Sequence, residues 1–79
     1  MVKETWLSVK KGLSEKLPSH TIGTWFDPIS PIALKNNELI LEVPNQFFYD
    51  WIESHYRLDI NNVLDSVGLG EIKTKFIIS

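Results

Sequence analysis

Few side chains in this sequence are placed to do chemistry. His20 and His55 stand far apart, with no carboxylate or thiol at metal-ligand spacing. A zinc site needs three or four gathered ligands, so none is expected. His55 is expected to flank the core with one nitrogen solvated, and His20 to belong to the polar start of a helix. There is no cysteine, and no serine sits in an elbow motif, which leaves the nucleophile options nearly empty and no visible catalytic constellation. The run from Gly68 through Gly70 to Lys73 and Thr74 resembles a phosphate loop only in its letters. Such a loop needs glycine directly before the lysine and a helix after it. Ile72 holds the glycine position and a strand pattern follows, so this segment is expected to be a helix stop and a turn.

The informative chemistry is aromatic. Phe47, Phe48, Tyr49, Trp51 and Ile52 spread around almost the whole circumference of one helix start, more than a helix facing a single core can bury. Phe47 lies on one flank and Tyr49 on the other, and one of the two is the candidate for an exposed anchor of the kind that dominates binding energy. The plainer reading is that a small domain spends all of these rings on its core. Trp6 poses the same choice. It lies on the apolar stripe of the first helix but near its outer end, where a stripe can run past the core into a partner.

The elements that must position these rings follow from periodicity. Val2, Trp6, Val9, Leu13 and Leu17 fall within about 80° on a helical wheel, an amphipathic helix that Pro18 ends. Gly12 interrupts it, either to admit a close neighbour or as a tolerated exposed glycine. Ser19 is a suitable N-cap for a short second helix carrying Ile22, Trp25 and Phe26. Pro28 and Pro31 close it. Residues Ile32 to Leu34 and Leu39 to Val43 alternate as strands, and Asn36 with Asn37 supply the positive φ of a tight hairpin turn. Asn45 is placed to cap a helix running from Gln46 to about Val67, stopped by Gly68 and Gly70. Its apolar face rotates by about 100° between the Phe48–His55 part and the Tyr56–Val67 part, which a break near His55 to Arg57 or a gently wrapping helix would reconcile. Ile72, Thr74, Phe76 and Ile78 then form one face of a third strand. The expected fold is α/β, in the order α-α-β-β-α-β, with a three-stranded sheet covered on one face by helices.

Composition bounds the function. Seventy-nine residues make one small domain, which buries about 60 to 65% of its unfolded surface. Eight basic and ten acidic side chains give a net charge of -2, the wrong sign for a domain that mainly grips phosphate backbones. Apolar runs of two or three residues cannot span a bilayer, and no targeting segment opens the chain. A cytoplasmic domain with no membrane partner is expected. The stop directly after the last strand suits an excised domain.

A resemblance rests on Trp6, Leu13 and Leu17-Pro18, then Thr24-Trp25 and Pro28, the strand Leu39 to Val43, and Pro44-Asn45-Gln46-Phe47 with Asp50-Trp51-Ile52 and Tyr56, then Ile60 and Leu64. Together they resemble the N-terminal domain, domain I, of the bacterial chromosomal replication initiator family DnaA. The match covers essentially the whole chain, and Pro-Asn-x-Phe-x-x-Asp-Trp is its most specific part. The resemblance implies a KH-like docking module with no enzymatic activity and no cofactor. It further implies that Trp6 mediates self-association with another copy, and that Thr24, Trp25, Pro44, Asn45, Phe47 and Phe48 face the replicative helicase and species-specific initiation regulators. Thr21 stands where some members carry a glutamate for helicase contact. The AAA+ ATPase and DNA-binding domains of such an initiator are not contained in residues 1–79. KH domains grip nucleic acid with a Gly-x-x-Gly loop, absent here, so at most weak nucleic-acid binding is implied. A KH-like nucleic-acid binder and a stand-alone regulator mimicking the initiator domain are the competing functions. A basic face would favour the first, and a chain lacking a downstream Walker A motif the second.

Overall fold

In the computed structural model, which describes residues 2–79, α1 spans Val2–Ser14. It buries Trp6, Val9 and Leu13, three of the five stripe residues. The regular helix ends one turn earlier than its periodicity suggests. Leu17 N–H still donates to Leu13 O at 2.8 Å, and Leu17 packs half-buried against the core before Pro18 turns the chain. Gly12 is a point of close approach: a Cβ there would stand 2.5 Å from Val63 Cγ1. Any larger residue would push α1 off the helix that carries Val63.

The second helical stretch departs from expectation in two ways. Pro18, in extended conformation, is the N-cap, and Ser19 is already the first residue of α2 (Ser19–Thr21), with no side-chain cap. Proline's fixed φ pre-sets the entry, so a capping hydroxyl is dispensable. The helix then widens into a π-helical turn, Ile22–Phe26, in which Asp27 N–H donates to Ile22 O at 2.9 Å. π-turns of this kind occur often at functional sites. This one sends Phe26 fully into the core and leaves Trp25 half-buried at the surface.

Strand β1 (Ser30–Lys35) pairs antiparallel with β2 (Glu38–Val43). The turn between them has Asn36 at φ 53° and Asn37 at φ 61°, as two-residue hairpins require. β1 is longer than the Ile32 to Leu34 core of the pattern and is irregular between Pro31 and Ala33, consistent with proline's place on an edge strand. β2 is central. Leu39, Leu41 and Val43 are buried on its inner face while Ile40 and Glu42 are partly exposed.

Asn45 caps α3 (Gln46–His55), its Oδ1 accepting from Phe48 N–H at 3.0 Å. Tyr56, at φ -123° and ψ -1°, breaks the long helix, and α4 (Arg57–Ser66) follows. The order is therefore α-α-β-β-α-α-β, and the rotated apolar face is explained by a break, not a wrap. Arg57 straps that break to the sheet. Its guanidinium pairs with Glu53 at 2.6 Å, donates to Thr74 O at 3.1 Å and to Thr74 Oγ1, and lies 5.2 Å over the Phe76 ring. Gly68, at φ 80°, ends the helical region. Strand β3 (Lys73–Ile78) then adds to β2 in parallel, with α3 and α4 as the crossover that a parallel pair demands. Ile72 falls just outside it, and Ile78 is exposed at its far end.

Helices cover one face of the three-stranded sheet, and between them lies a core of Trp6, Val9, Leu13, Phe26, Ile29, the three inner β2 residues, Ile52, Ile60, Val63, Leu64 and Phe76. The other face carries charge in register: Glu38 stands opposite Lys35 on β1 and Lys73 on β3. Among the described residues, no helix is long and apolar enough to cross a membrane.

Candidate functional site

The N-terminus of α3 and the π-turn meet because β1 and β2 form a hairpin that carries the chain out and back. Between them they build an aromatic surface. The Trp25 and Trp51 rings stack at 5.2 Å with planes 12° apart. Phe47 tilts against both, 5.8 Å from Trp25 and 6.1 Å from Trp51. Phe48 meets Trp25 edge-on at 5.1 Å. His55 tilts against Trp51 at 4.0 Å, so the indole of Trp51 touches both Trp25 and His55.

Exposure separates these rings by role in the fold. Phe47 is 61% exposed and Trp51 36%, whereas Phe48 and Tyr49 are half-buried against the core. Of the two flank residues that the helical wheel offered as an exposed anchor, Phe47 is the one at the surface. Pro44, Asn45 and Thr24 are exposed, and Thr21 is half-buried one turn before Trp25. Asp50 stands one turn after Phe47, its carboxylate accepting from Gln46 Nε2 at 2.9 Å. The structure thus brings Trp25, Asn45, Phe47 and Phe48 to one edge. It adds Trp51, one of the surplus rings of α3, and His55, expected to flank the core. The spacing that could have found Trp51 is its position four residues after Phe47, which places both on one helical face.

Trp6 lies elsewhere. It is 2% exposed, its ring 6.5 Å from Phe26, and its Nε1 is buried without a hydrogen-bond partner. The choice that the wheel left open is decided for the core, and Trp6 has no free face of its own to act as an exposed anchor. It forms part of the lining of a shallow groove of about 280 Å³ with Lys3, Leu7, Lys10, Ile29 and Pro31, and Leu7 is 58% exposed there.

His55 is exposed and stacked on an indole instead of flanking the core, and His20 is exposed on α2. Residues 68–74 form the helix stop, a turn and the start of β3, with no helix after Lys73-Thr74.

Residues 3–66 match the family model described as the DnaA N-terminal domain. Among relatives, the chromosomal replication initiator protein DnaA of Thermodesulfovibrio yellowstonii is 32% identical over 99% of this chain and 18% of its own length. That of Chlorobaculum tepidum is 34% identical over 96% of the chain and 15% of its length, and that of Geobacter sulfurreducens 32% over 99% and 18%. The chain therefore spans less than a fifth of the length of these relatives.

Proposed function

The chain belongs to the DnaA N-terminal domain family, and on that premise we propose that it is a non-enzymatic, cytoplasmic docking module of a replication initiator. It recruits the replicative helicase and species-specific regulators through the surface formed by Thr24, Trp25, Pro44, Asn45, Phe47 and Phe48, with Thr21 at its border. The observation that carries this reading is the exposed Phe47 ring, seated on two stacked tryptophans. A ring of that size left in water costs solvation that a monomer has no reason to bear, and clustered aromatics are the usual centres of binding energy. Thr21 offers a hydroxyl where a carboxylate would offer charge, so helicase contact at that border is weaker in electrostatics. The test is a titration of isotopically labelled domain with purified helicase. Amide shifts should concentrate on residues 21–25 and 44–51, and shifts confined to the open face of the sheet would contradict the reading.

A second copy of the domain is the other proposed partner, supported by the groove at the outer end of α1. Leu7 supplies its exposed apolar contact and Trp6 its floor. Leu7→Glu should therefore abolish concentration-dependent dimerisation in sedimentation while leaving the melting temperature nearly unchanged. Dimerisation that persists in this variant would remove the groove from the account.

A further inference from the structure

Charge is divided unevenly over this domain. Lys3, Lys10, Lys11 and Lys16 lie on or just after α1, and Lys73 and Lys75 on β3. From Pro18 to Tyr56, by contrast, Lys35 is the one lysine or arginine, against Asp27, Glu38, Glu42, Asp50 and Glu53. Lys35 sits at the hairpin turn, at the opposite end of β2 from Pro44. The aromatic surface is built wholly from this stretch. Its acids are not equivalent: Asp27 is paired with Lys10 at 3.1 Å and Glu53 with Arg57, whereas Asp50 is held by the neutral Gln46 amide. Among the described residues, that leaves Asp50 with uncompensated charge on the exposed side of α3, one turn from the most exposed ring.

We propose that the segment docking on this surface is apolar and carries an arginine, whose guanidinium lies on the open face of Phe47 and pairs with the Asp50 carboxylate. This rests on the docking function proposed above and adds the partner's chemistry. Trp51 is stacked on Trp25 and in contact with His55 and is less exposed than Phe47, so Phe47 is the ring with more room for a cation. Phe47 and Asp50, at i and i+3, share one helical face. A planar guanidinium is suited to both at once, since it stacks on a ring and forks onto a carboxylate, which an ammonium cannot do.

The experiment uses the purified replicative helicase as probe, at one fixed pH. Salt runs from about 50 to about 300 mM, enough to shorten the screening length severalfold around an exposed pair. Wild-type affinity should fall as salt rises. Asp50→Lys should weaken binding about tenfold at the low-salt end and flatten the salt dependence, and Asp50→Asn should fall between. Glu71→Lys is the control for net charge. It lies two residues before Lys73, whose N–H donates to Asn37 O at the hairpin end of the sheet, far from Asn45, and its affinity should stay within about twofold of wild type. Melting curves on each variant confirm the fold. If Phe47→Ala loses binding while both Asp50 variants keep wild-type affinity and salt slope, the arginine is refuted and the docking surface stands. If Phe47→Ala binds as tightly as wild type, both fall.

Discussion

Trp6 and Phe47 are large aromatic residues near the N-termini of amphipathic helices, yet one is sealed in the core and the other stands in water. The difference lies in what each helix has to bury. α1 carries a single narrow stripe, α4 approaches it closely at Gly12 and Val63, and Trp6, Val9 and Leu13 are all buried. α3 carries rings around most of its girth, and Ile52 alone is fully buried. The rest are handed to Trp25 on the π-turn and to the surface. An apolar residue is therefore placed in the core or at the surface according to the width of the apolar arc it belongs to, not according to its size.

The contrast is sharpest in stability. Trp6→Ala should cost about 3 to 5 kcal/mol, the range for a buried tryptophan truncation, measured by denaturant unfolding. A loss near zero would mean that Trp6 is not core and would erase the contrast. Arg57→Ala is next, at about 1 to 3 kcal/mol, because it strands the buried Thr74 hydroxyl as well as removing the strap across the helix break. Its amides near Tyr56 should exchange faster, and unchanged exchange would remove Arg57 from that role. Asn45→Ala should cost about 1 kcal/mol for the lost cap. Asn45→Asp should largely retain it, which separates capping from any effect on docking.

Most of the fold was legible in residue types because local chemistry dictates it. The Asn36–Asn37 turn, the Asn45 cap, the alternation of Leu39, Leu41 and Val43 and the Gly68 stop each answer a backbone requirement within a few residues. The rotated face of the long helix pointed to the break without placing it, since neither proline nor glycine marks Tyr56 and the strap that holds it comes from Arg57 and Thr74, distant in sequence. The parallel placement of β3 was not legible, because a strand pattern carries no direction. In the candidate site, Phe47 could be read from surplus aromatics and from the Pro-Asn-x-Phe-x-x-Asp-Trp stretch, and Trp25 from the resemblance alone. Trp51 stood in the same surplus and closes that stretch, but its stacking on Trp25 could not be read, nor could the place of His55. Their place depends on the π-turn that swings Trp25 over α3, and widening by one residue leaves no trace in apolar spacing. Trp6 stayed undecided on the wheel for the same reason: its burial is set by neighbours from other elements.

The smallest expected change in stability accompanies the central claim. Phe47→Ala should shift unfolding by less than about 0.5 kcal/mol, as for an exposed side chain, and weaken binding of the replicative helicase by about 1 to 3 kcal/mol. Affinity and melting temperature measured on the same preparation test this most directly. The account predicts lost binding in a folded domain; unchanged affinity, or unfolding in place of lost binding, would contradict it.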